Sequence, residues 1–173
     1  MPDAPPDSQK KTDVLQCSFW NSPESLAKSV LVVRFEGFDQ VERVFGEESR
    51  AALEAETLRW LGEATREIGT HPHIVSAGLW VGSIEGKSEA SDAQIAEAAF
   101  KDLSTLRDRG RLRGQYWLNL AVWLASPTGN TSAQTASQHL ANAILASHQP
   151  LGPSGQLVKL MIADDGITFE PWT

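Results

Sequence analysis

Residues 29–46 read SVLVVRFEGFDQVERVFG, and the fold of the whole chain is decided by how this stretch is parsed. It opens on Val30-Leu31-Val32-Val33, an apolar run too short for a helix and rich in β-branched side chains, so it predicts a buried strand. Phe35-Glu36-Gly37-Phe38 breaks the run. Val41, Val44 and Phe45 then recur at helical spacing, and Gly46 supplies a stop. A strand, a sharp exit and a short helix make a corner suited to a nucleotide or a metal. The strand end is rigid, and the helix start carries partial positive charge.

Working outward, residues 47–69 predict a long helix with Ala51, Ala55, Leu58, Leu61, Ala64 and Ile68 as its apolar stripe. Glu47, Glu48, Glu54 and Glu56 crowd its first half, where the helix dipole favours negative charge. Residues 74–84 (IVSAGLWVGSI) predict a β-hairpin turning near Ala77-Gly78. Ser88 or Ser91 caps a second long helix running to about Arg107, with Ile95, Ala99, Leu103 and Leu106 inward. Residues 107–113 (RDRGRLR) read as a basic loop.

Residues 116–125 (YWLNLAVWLA) form the clearest strand. Leu118, Leu120, Val122 and Leu124 share one face and Trp117, Asn119, Ala121 and Trp123 the other, so both faces are largely apolar and the strand is central. Thr131 or Ser132 caps a third helix to His148, with Ala136, Leu140, Ala143 and Ile144 inward. Residues 156–163 give a last main strand, and the tail ITFEPWT adds an edge strand. The order β-α-α-β-β-α-β-α-β predicts an α+β fold: a mixed sheet of about five strands flanked by helices, palm-like or ferredoxin-like. Residues 1–13 read as a disordered tail and 14–173 as one domain; within the latter, residues 14–20 are a strand or a docking segment.

At 173 residues the chain can bury a core of its own. Its formal net charge of −7 argues against general nucleic-acid binding, which needs clustered positive charge. Cys17 stands alone, so an internal disulfide is excluded. No apolar run approaches the roughly 20 residues of a membrane helix, and the N-terminal residues carry no apolar signal core, so a cytoplasmic protein with no membrane contact is expected.

Residues 29–46 resemble the first strand and following turn of GGDEF domains, the bacterial diguanylate cyclases. That family reads as an apolar strand and then Asp-x-Asp-x-Phe-(Lys)-x-Ile-Asn-(Asp)-x-(Tyr/Phe)-Gly. Phe38, Gln40, Val41, Phe45 and Gly46 fit its frame. Arg34, Glu36 and Glu42 stand where the family has its metal-binding Asp, its second Asp and its guanine-contacting Asn. Ala77-Gly78-Leu79-Trp80 replaces the signature hairpin, and the acidic pair has become Leu-Trp. Ala51, near another guanine-contacting Asp, is apolar, and the upstream Arg-x-x-Asp site and the entry motif are missing. The resemblance spans residues 30–163 in order and spacing, implies the same palm-like fold, and marks the chain as a degenerate relative.

Phosphoryl chemistry on a nucleoside triphosphate needs carboxylates to hold magnesium. A guanidinium in place of a carboxylate reverses the local sign. At ~4 Å and an effective dielectric of ~20, a unit charge pair is worth roughly 4 kcal/mol. The resemblance therefore implies no bound metal, no cofactor and no enzyme activity. It implies a regulatory module acting by contact with another protein or signalling domain in a cyclic-di-GMP-type system. The alternative is a GTP-type nucleotide sensor in which Arg34 takes an anionic group without metal; in the plainer reading, Arg34 pairs with Glu36 or Glu42.

Other features carry less. His71-x-His73 supplies half of a structural zinc site. Arg107, Arg109, Arg111 and Arg113 offer a partner surface or a solvated loop. Trp80, Trp117 and Trp123 offer either a stacking platform for RNA or ordinary core, and the RNA-binding reading ranks last.

Overall fold

β1 (Val30–Glu36) is flanked on both sides by antiparallel partners, β3 (Leu79–Ser83) and β4 (Asn119–Pro127). The computed structural model describes residues 29–66, 73–76, 78–84, 91–112, 118–128, 131–146 and 157–170. β2 (His73–Ser76) pairs antiparallel with β3. β4 runs parallel to β5 (Leu157–Ala163), which turns back into antiparallel β6 (Gly166–Glu170). The result is one mixed sheet of six strands in the order β2-β3-β1-β4-β5-β6, within an α+β fold.

Four helices complete the order: α1 (Phe38–Phe45), α2 (Glu47–Arg66), α3 (Asp92–Leu112) and α4 (Ala133–Ala146). The first four strands and helices α2 and α3 form two interleaved βαβ units with the ferredoxin-like strand order. The crossover through α4 then adds β5 and β6 beside β4.

The alternation of β1 sorts its side chains onto two cores. Leu31, Val33 and Phe35 face one core with Trp80, Leu120, Val122 and Leu124 of the sheet, closed by α2 and α3. The Phe35 ring lies between Trp60 (5.9 Å, tilted) and Trp80 (5.6 Å, edge-on). Val30 and Val32 face the other core with Val81, Trp123, Ala125 and Leu160, where α4 contributes Ala136, Leu140 and Ile144.

The helix starts follow their capping chemistry. The Ser91 hydroxyl accepts from the Gln94 backbone N–H (3.2 Å) while the Gln94 side chain accepts from the Ser91 N–H (2.9 Å), a capping box opening α3. Ser132, rather than Thr131, caps α4 by accepting from the Thr135 N–H at 3.2 Å.

Two expectations are corrected. The stripe on α2 holds at Leu61 and Ala64 but not in the first half, where Ala51, Ala55 and Leu58 are exposed and Leu53, Thr57 and Trp60 are buried; Ile68 lies outside the described residues. Turning the helix this way buries the large Trp60. Thr57 follows without penalty, because its hydroxyl donates to the Glu54 carbonyl at 2.8 Å. Helix α3 runs on to Leu112 instead of giving way to a basic loop at Arg107; Gly110 costs only about 1 kcal/mol in a helix, and arginine is a good helix former. The edge strand expected from the tail forms as β6, paired with Lys159–Ala163 of β5, and brings the sheet to six strands among the described residues. The expectations for residues 1–28 lie outside the described residues.

Candidate functional site

The corner after β1 is built from three elements. Arg34 sits between Leu79 of β3 and Ala121 of β4 in cross-strand register, on the sheet face that α4 covers. Its side chain is 18% exposed, and its Nε lies 3.5 Å from Glu36 Oε1, as expected for residues two apart on one strand. Burial lowers the Arg34 pKa from its ordinary value, and the Glu36 carboxylate partly restores it. Of the two partners considered for Arg34, the structure gives Glu36.

Glu42 is committed elsewhere. It lies on α1, where Arg50 Nη1 donates to it at 2.9 Å and to Asp39 at 3.0 Å, while Arg50 Nε donates to Glu54 at 2.9 Å. The hydrogen bond to Glu54 is the first cause of a raised Arg50 pKa. Arg50 thus ties α1 to α2 across Gly46.

Between β1 and α1 stands Gly37, with φ of +117°, a backbone state that favours glycine. It offers no side chain to cap α1, so the first N–H groups of that helix lack the usual side-chain acceptor. The hairpin closes against the same corner. The Phe35 N–H donates to the Gly78 carbonyl at 2.7 Å, and a Cβ on Gly78 would come within 2.5 Å of the Phe38 ring and 2.6 Å of the Phe35 carbonyl oxygen. Gly78 also has φ of +79°. Only glycine lets the turn pack this tightly, and the packing is what sets Leu79 beside Arg34.

The remaining residues separate. Trp80 is buried on the face opposite Arg34, in the core with Phe35. Trp123 is buried on the Arg34 face. These two indoles therefore form no shared stacking surface, and Trp117 lies outside the described residues. Arg107 lies on α3 beside Asp108 (3.3 Å), inside a helix and not a loop. Arg109 and Arg111 fall within the span of α3, but their side chains lie outside the described residues, as do Ala77 and Arg113. His71 likewise lies outside them, and His73 begins β2.

A divalent cation, which nucleotide chemistry on this frame implies, does not fit the side chains at the corner. Arg34 repels it, Leu79 and Trp80 offer hydrocarbon, and Glu36 is already paired with Arg34. The described residues contain no group of three or more His, Cys, Asp or Glu side chains gathered as a metal site requires. Two signals were not used in reading the sequence: the uncapped start of α1 and the exposure of Val44 (72%) and Phe45 (52%) at its end. Gly37 and the adjacency of two apolar residues before Gly46 were visible clues to both.

No protein-family model matches the chain, and no curated protein matches it. Among solved structures it is similar to the adenylyl cyclase CyaB from P. aeruginosa, with a TM-score of 0.53 and 12% identity, over 76% of this chain and 75% of that one. The likeness supports the palm-like, ferredoxin-related fold at the level of a nucleotide-cyclase arrangement, and not the GGDEF family in particular. It overturns the expectation that the chain is not an enzyme. An adenylyl cyclase uses a similar arrangement of strands and helices, so the loss of one family's carboxylates is no argument against turnover on this fold. Among the described residues, no helix is long and apolar enough to cross a membrane.

Proposed function

We propose that this chain is a nucleotide-binding domain of the cyclase fold, working in the cytoplasm. It takes the phosphates of a purine nucleoside triphosphate at the corner between β1 and α1. The observation that carries the reading is the uncapped start of α1 directly after the strand bearing Arg34. Backbone N–H groups at a helix start and a guanidinium both hold phosphate oxygens without a metal. The nucleotide class is supported by the adenylyl cyclase that shares the fold. GTP is also to be tried, because Phe38, Gln40, Val41, Phe45 and Gly46 keep the GGDEF-like frame.

Calorimetric titration with GTP and with ATP, each with magnesium and with EDTA, tests this. Saturable binding that survives EDTA and weakens about tenfold in Arg34→Leu is expected, the loss of one charge-assisted contact. No saturable binding of either nucleotide would end the proposal. Product analysis of the same mixtures addresses turnover, on which the binding reading does not depend.

A second reading, contact with another protein or signalling domain, is favoured by one observation: Val44 and Phe45 present apolar surface at the end of α1. Val44→Ser with Phe45→Ser would weaken capture of a partner while leaving nucleotide binding unchanged.

A further inference from the structure

The two outer strands of the sheet differ in a way that matters for assembly. β2, at one edge, has four residues and a register shift between Ile74 and Ser76, and such irregularities blunt an edge against pairing. β6, at the other, keeps one register with β5 from Gly166 to Glu170 and contains neither lysine nor proline. Thr168, Phe169 and Glu170 are exposed, Phe169 by 45%.

The two-residue turn Asp164-Asp165 makes Ala163 and Gly166 the hydrogen-bonded pair that closes the hairpin. Alternation along an antiparallel ladder then turns the backbone N–H and C=O of Ile167 and Phe169 away from β5, toward the edge that no other described strand pairs. We propose that this edge pairs with β6 of a second copy of the chain, antiparallel about a two-fold axis at Thr168.

The strand is self-complementary in that register. Ile167 of each copy meets Phe169 of the other as a hydrogen-bonded pair, so outward backbone groups find partners, and the exposed Phe169 gains an apolar neighbour. Thr168 meets its own copy. Glu170 falls opposite Gly166, so no like charges face each other. The two Glu170 carboxylates lie at opposite ends of the pairing, about 14 Å apart at about 3.4 Å per residue and beyond a Debye length of about 8 Å. Within its own chain, Glu170 is also matched across the ladder by Lys159. Five paired residues bury less than the roughly 1,600 Å² of a standard interface, so the dimer forms and dissociates with concentration.

The test uses the whole chain. Sedimentation across a concentration series should show a monomer–dimer equilibrium. Phe169→Pro removes an outward N–H and the apolar ring but spares the β5–β6 ladder, and Phe169→Lys puts a charge on the edge. Each should raise the dimer dissociation constant by about tenfold or more with circular dichroism unchanged. With Cys17→Ser as background, Thr168→Cys should form a disulfide-linked dimer on oxidation. Phe169→Cys should not, because its equivalents lie diagonally across the axis, too far apart to bridge. A chain that stays monomeric throughout, or a dimer that cross-links through residue 169 and not 168, overturns the proposal. The monomeric outcome would leave the edge to an extended segment of a different protein.

Discussion

The two faces of the sheet are built to different plans. The face under α2 and α3 centres on three large rings set among aliphatic side chains, with Phe35 between Trp60 and Trp80. The face under α4 is packed mainly with small and medium aliphatics such as Val30, Val32, Ala125, Ala136 and Leu140, and it also carries Arg34 and Glu36. Adjacent residues of one strand thus serve a stability core on one side and the charged end of a candidate site on the other. The first face gathers its rings around Phe35, whereas the second buries one indole, Trp123, and carries a charge pair.

Trp80→Ala should break the contrast most sharply. It removes the ring against Phe35 and costs about 4 kcal/mol, read as a shift in the denaturant midpoint. Leu140→Ala on the other face leaves a smaller void and should cost about 3 kcal/mol by the same measurement. An equal or larger loss there would mean that α4 is as tightly interlocked as α2 and α3. Gly78→Ala tests the joint between hairpin and corner. Its positive φ and its contact with the Phe35 carbonyl should cost about 2 kcal/mol. Arg34→Leu together with Glu36→Leu, which removes both charges of the pair, should move stability by less than about 1 kcal/mol, because a partly buried ion pair replaced as a whole by hydrocarbon is near neutral. A large loss of stability in that variant would place Arg34 with the core and not with the site.

Much of this architecture was legible in the residues. Short β-branched runs and alternating stretches mark strands whatever surrounds them, so β1, the hairpin and β4 could be placed directly. The Arg34–Glu36 pair was also legible, because two residues apart on a strand means the same face. The inward face of the first half of α2 was not. It depends on Thr57 hiding its hydroxyl against the Glu54 carbonyl, which lets a polar residue sit inside while Leu58 faces water. The attachment of Glu42 to Arg50 was hidden for a similar reason. The two are eight residues apart on different helices, and only the turn at Gly46 brings them together. The site's chemistry was read from what the hairpin had lost, whereas the fold likeness asks what the corner can still hold.

β1 has consequences for how the chain is made. Its neighbours are residues 79–83 on one side and 119–125 on the other, and nothing local to it supplies a pairing partner. During synthesis, Val30-Leu31-Val32-Val33 must therefore wait, apolar and unpaired, until residues 79–83 have left the ribosome for one side and residues 119–125 for the other. That interval is when sticky segments find the wrong company. The same centrality that makes this strand the spine of the finished molecule makes it the part of the nascent chain most in need of a chaperone.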